Sequence, residues 1–85
     1  MKHYVYVLKS VENWRFYVGM TENVQRRLQE HNSGKTKSTK GYKPWVLVFT
    51  EEFDSRELAR EREKYLKSGI GKEKIKEYWS RSSAG

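Results

Sequence analysis

Five side chains in this sequence belong to the types that act on phosphate esters: Tyr6, Tyr17, Arg27, His31 and Glu63. A carboxylate such as Glu63 holds a hard divalent cation through oxygen, and water or phosphate oxygens complete the shell. A cation held that way polarises a phosphate and stabilises the charge that develops on it. The planar, permanently charged fork of an arginine grips phosphate oxygens. A phenol or an imidazole can orient or deprotonate the attacking water. Each residue also has a plainer reading. The tyrosines serve equally well as core aromatics and Arg27 as a solvated helix residue. His31 and Asn32 suit a helix end. Glu63 lies in the charged run "RERE" and can pair with Lys67 one turn on. Residue types alone leave both readings open. Two histidines and no cysteine give no recognised zinc pattern.

The elements that must position these groups are legible. Residues 3–9, "HYVYVLK", are aromatic and β-branched, the composition of a strand. Tyr4, Tyr6 and Leu8 point to one face and Val5 and Val7 to the other. Both faces are apolar enough for a central strand. "SVENW" can close a hairpin onto a second short strand, "RFYVG", antiparallel to the first and stopped by Gly19. Thr21 is expected to cap a helix over 22–32, with Gly34 as its stop. Val24 and Leu28 form the apolar stripe of that helix, and Arg27 and His31, four apart, share the face beside it.

Residues 35–43, "KTKSTKGYK", carry four lysines and three serine or threonine hydroxyls. They suit a phosphate-contacting loop, through Lys35, Lys37 and Lys40, or a simple connector. A third strand is expected over 45–50, with Pro44 where a strand can begin. Asp54 with Glu57 outlines a capping box for a helix reaching residue 67. Leu58, Ala59, Arg62 and Leu66 mark its inward side, and Glu63 lies on the flank. "SGIG" ends it, and a last helix over 72–79 carries Ile75, Tyr78 and Trp79. The order strand, strand, helix, strand, helix, helix predicts an α+β domain, a small three-stranded, mostly antiparallel sheet flanked by helices. A single domain over 1–80 with a frayed tail at 81–85 is the expected organisation.

Bulk composition narrows the partners. The chain of 85 residues has a net charge of +7, which favours a polyanion, nucleic acid above all, although charge alone also suits plain solubility. Its aromatic fraction of 14% supplies a core that a domain this small would otherwise lack. The absence of cysteine excludes disulfides and thiolate metal sites and points to a reducing, cytoplasmic compartment. "MKHYVYVLKS" has too short an apolar run for a signal peptide or a membrane span.

"YVY" at 4–6 and "YVG" at 17–19 resemble the paired strand motifs of the GIY-YIG nuclease superfamily. The resemblance continues through "RRLQEHNSG", "LVFTEEF" and "AREREKYLK", covering roughly residues 2–76. It is closest in kind to the small stand-alone group related to the nuclease domain of the bacterial excision-repair endonuclease. The resemblance implies a DNA endonuclease, selective for branched or irregular structure rather than for sequence, with a place in repair or recombination. It implies that Tyr6 activates or positions water and that Tyr17 orients water or phosphate. Gly19 would let the backbone pass close to the site. Arg27 would bind the scissile phosphate, with Arg26 as the weaker candidate. His31 would assist the tyrosine, and Glu63 would be the sole protein ligand of one Mg²⁺ or Mn²⁺. Tyr-Val-Tyr replaces Gly-Ile-Tyr, and Met20 stands where some relatives carry lysine. No equivalent is found for an asparagine that some relatives have near the end of the domain. The rival expectation is a nucleic-acid-binding module that keeps the fold but cuts weakly or only with a protein partner.

Overall fold

A computed structural model describes residues 1–37 and 39–84, with the main chain alone from 82 onward. Its three strands are β1 (His3–Ser10), β2 (Phe16–Thr21) and β3 (Trp45–Phe53), and its helices are α1 (Val24–Ser33), α2 (Arg56–Lys67) and α3 (Gly69–Ala84). The strands lie in the order β2-β1-β3, both pairings antiparallel, so the α+β architecture expected from the sequence is the observed one. As the strand in the middle, β1 has ladder partners on both sides: Tyr6 stands opposite Gly19 of β2 and Thr50 of β3. The β1–β3 ladder shifts register between Val7 and Leu8, which face Phe49 and Leu47. Val48 is the extra residue that makes this bulge.

The alternation along β1 feeds two separate cores. Val5 and Val7 pack with Val18, Ala59, Leu66 and Ile75 on the face covered by α2 and α3. Tyr6 and Leu8 pack with Trp45 on the face covered by α1, where Tyr17, Val24, Leu28 and Tyr42 join them. A fully buried aliphatic side chain contributes about 1.5–3 kcal/mol. Net stability of a domain is only about 5–15 kcal/mol, so neither cluster is dispensable.

Several boundaries differ from the sequence expectation, each for a local reason. Thr21 does not cap α1, because it still belongs to the ladder opposite Tyr4. The cap is Asn23, whose side chain accepts the Arg26 N–H at 3.1 Å. The helix ends as expected on Gly34, in the left-handed region at φ 84. β3 runs three residues beyond the expected end, since β1 offers partners as far as His3, opposite Phe53. Asp54 does not cap α2. It is drawn to Lys2 at the start of β1, and Ser55 caps instead, accepting the Leu58 N–H at 3.2 Å. Leu58 is 51% exposed rather than inward, while Ala59 and Leu66 are buried. Arg62 leaves the core to form a two-pronged ion pair with Glu51 of β3, at 2.7 and 3.2 Å. α3 begins at Gly69, not at 72, directly after Ser68, and includes 81–84. Gly85, the end of the expected tail, lies outside the described residues. Among the described residues, no helix is long and apolar enough to cross a membrane.

Candidate active site

Tyr6 is brought to the middle of the α1 face by the strand period, and it is almost wholly buried. Its hydroxyl lies 3.0 Å from Nε2 of His31. His31, fully buried in the last turn of α1, has its other ring nitrogen, Nδ1, 2.8 Å from Oγ1 of Thr39. Thr39 is itself buried, and its hydroxyl donates to the carbonyl of Thr36 at 3.4 Å. If the Thr39 hydroxyl donates to Thr36, it accepts Nδ1–H, and in that tautomer Nε2 accepts the Tyr6 O–H. Tyr17 packs against the same imidazole at a tilt of 57° with ring centroids 4.7 Å apart, and the two tyrosine rings are 6.2 Å apart.

Gly19 explains how Tyr6 fits under β2. A Cβ at position 19 would lie 2.5 Å from Cζ of Tyr6 and closer still to its hydroxyl. Gly19→Ala should therefore displace the phenol and cost about 1–3 kcal/mol. Thermal unfolding followed by circular dichroism should show a midpoint lower by roughly 5–20 °C. An unchanged midpoint would mean that the ring yields freely.

Two charges act on the Tyr6 hydroxyl from different elements. Arg27 of α1 faces it, and Glu63 of α2 lies within electrostatic reach. Burial pushes the phenol above its ordinary range, and the Arg27 guanidinium works in the opposite direction. His31 is held below the ordinary imidazole value by burial first and by the Arg27 charge second. Arg27 is aimed by Glu30, whose carboxylate meets Nη1 at 2.5 Å and also holds Arg26 at 3.2 Å. That carboxyl sits below its usual range because of the Arg27 bond, then the Arg26 one. Glu63 comes from the helix that packs on β1 and β2. Its side chain is only 12% exposed, and its oxygens face Lys67 at 3.4 Å and Arg60 at 3.9 Å.

Of the residues singled out from the sequence, Tyr6, Tyr17, Gly19, Arg27 and His31 thus lie together at the β2 side of the sheet, and Glu63, from the helix on the other face, acts on Tyr6 through its charge. Arg26 is on the exposed side of α1. Lys35, Lys37 and Lys40 are exposed on the turn that carries Thr39, and no hydrogen bond joins them to the tyrosines or His31 among the described residues. Met20 packs against the Val5–Val7 core. Two supporting residues escaped the sequence reading. Glu30 had a signal, its spacing of three and four from Arg27 and Arg26. Thr39 had none, because it lies in a polar loop with no periodicity.

No group of three or more His, Cys, Asp or Glu side chains capable of holding a metal occurs among the described residues. The donor set still suits one hard, largely hydrated cation. Glu63 offers an oxygen ligand that is mostly buried yet held only by long contacts to two flexible, half-exposed cations.

Comparison with known proteins places these residues in context. The model of the GIY-YIG catalytic domain matches residues 2–76. A UPF0213 protein of Staphylococcus haemolyticus is 43% identical over 76 residues, 88% of this chain and 92% of its own length. One from Natronomonas pharaonis is 48% identical over 67 residues, 78% of each chain. The solution structure of a UPF0213 protein from Bacillus halodurans superposes with a TM-score of 0.54 at 41% identity, covering 88% of this chain and 82% of that one.

Proposed function

Because the chain belongs to the GIY-YIG catalytic-domain family, a family of nucleases, we propose that it is a divalent-metal-dependent endonuclease that hydrolyses DNA phosphodiester bonds. The reading is carried by the Tyr6 hydroxyl, which lies 3.0 Å from Nε2 of the buried His31 and within the fields of both Arg27 and Glu63. In this reading Tyr6 takes a proton from the attacking water while passing its own to His31 Nε2. The raised phenol explains why a relay is needed: burial disfavours a standing phenolate, so the proton must have somewhere to go as it is replaced. Thr39 keeps His31 in the accepting tautomer. Arg27 binds the scissile phosphate, and Tyr17 orients water or phosphate. Glu63 would hold one Mg²⁺ or Mn²⁺, whose chemistry is to polarise the phosphate and stabilise its developing charge. The net charge of +7 supports a salt-sensitive, largely sequence-independent grip on DNA. Branched or irregular DNA is the proposed substrate, the cytoplasm the proposed compartment, and repair or recombination the proposed setting.

The test is direct. Purified protein and Arg27→Ala are incubated with supercoiled plasmid, single strands and branched junctions, with Mg²⁺ or Mn²⁺ and with EDTA. Cleavage should require metal, favour the junction, and fall about 10²–10³-fold on loss of the guanidinium. Binding without cleavage, across all substrates and both metals, would leave a nucleic-acid-binding module.

A further inference from the structure

A groove of about 440 Å³ runs beside β2, between that strand and the helices on the α2–α3 face. Phe16, Val18 and Ile75 line it as apolar surface, and Lys67, Lys72 and Lys76 as charge. β2 is an edge strand, so nothing in the sheet closes this side. Two of its features have no use in the site already described. Trp14 at the hairpin end is 67% exposed, with the Lys9 ammonium over it at 5.1 Å and Phe16 beside it at 6.4 Å. Lys72 and Lys76, one turn apart on α3, are exposed with no carboxylate at ion-pair distance among the described residues. Arg15 also borders the groove, but its guanidinium is turned onto the Tyr42 ring at 4.6 Å and is not counted.

The groove joins the candidate active site at both of its shared residues. Tyr17 borders it while its ring packs beside His31 on the other face, and Lys67 lines it and pairs with Glu63. A chain of phosphates lying on the lysines would therefore lead toward the Glu63 carboxylate. The exposed indole narrows the ligand further. Inside a duplex each base is covered on both faces by its neighbours, so away from the duplex ends an indole can stack only on a base that has left the helix.

We propose that this groove holds an unpaired polynucleotide strand, with phosphates on Lys72 and Lys76 and a base stacked on Trp14. The proposal rests on the nuclease reading for what lies at the end of the groove, and it deepens that reading by naming the form of the substrate: a strand unpaired next to the point of cleavage.

Fluorescence anisotropy with a labelled oligothymidylate and a duplex of equal length tests it, in EDTA so that cleavage plays no part. Trp14→Ala should weaken single-strand binding roughly 5- to 150-fold and leave duplex binding within about threefold. Trp14→Phe, which keeps a ring, should retain most of the affinity. The double substitution Lys72→Ala with Lys76→Ala should reduce the salt slope for the single strand by about 0.7 per lysine. Melting temperatures of all variants establish that they fold. Equal single-strand affinity for Trp14→Ala and wild type overturns the proposal, as does an equal loss for Trp14→Ala and Trp14→Phe in folded proteins. The nuclease reading is judged separately. A protein that never cuts but binds single strands through Trp14 keeps the groove and loses the activity, and one that cuts junctions while ignoring Trp14 does the reverse.

Discussion

Glu63→Gln should bring DNA cleavage down by roughly 10³-fold or more while leaving DNA binding intact or slightly tighter. The substitution keeps the size of the side chain and its place against Lys67 and Arg60, so packing is preserved. It removes the negative charge, and an amide is a poor ligand for a hard cation with no second protein carboxylate to hold it. Loss of a cation that stabilises developing phosphate charge is worth several kcal/mol, and each 1.36 kcal/mol is tenfold in rate. Binding moves the other way, because one negative charge leaves a positively charged surface. Stability should change little, since the two pairs are long and their cationic partners are 54% and 58% exposed. Single-turnover cleavage over a range of Mn²⁺ concentrations, with calorimetry of Mn²⁺ binding, reads both effects. Full activity with undiminished Mn²⁺ affinity would remove Glu63 from the metal site and with it the proposed mechanism.

Tyr6→Phe carries the second large effect. General acid–base catalysis by a positioned group contributes about 10²–10⁴-fold, and a phenyl ring cannot relay a proton. The same change leaves Nε2 of the buried His31 without its donor, at a cost of about 1–3 kcal/mol. Rate and stability should therefore fall together, but the rate far more. The pH dependence of the wild type follows from the same pair. His31 must be neutral to accept the proton from Tyr6, and burial together with Arg27 holds its pKa below the ordinary value of about 6.5. Cleavage should accordingly show its acid limb below pH 6.5, where the imidazole finally protonates. Stability has the same sign. As pH falls through about 6.5, the unfolded chain takes up a proton that the folded protein still refuses, so the folded state loses ground until the lower folded value is passed. A pH–rate profile for wild type and denaturant melts at several acidic pH values check this. Tyr6→Phe at near-wild-type rate, or an acid limb above pH 6.5, would break the relay.

Much of this protein can be read directly from its amino-acid order. The alternation of Tyr4, Tyr6 and Leu8 against Val5 and Val7 already requires a strand buried on both faces, because a period of two leaves no polar side to turn to water. Four-residue spacing places Arg27 and His31 on one helix face whatever the rest of the chain does. Those are local, periodic constraints, and the fold keeps them. Where two neighbouring residues were chemically equivalent, local rules could not choose: Asn23 and Ser55 cap the helices because Thr21 is retained by the sheet and Asp54 is taken by Lys2. That Glu63 comes within electrostatic reach of Tyr6 was decided only by the tertiary arrangement, for α1 and α2 cover opposite faces of the sheet. The seating of His31 on Thr39 was decided there as well. A hydroxyl eight residues away in an aperiodic turn leaves no mark in a sequence until folding buries it against the imidazole.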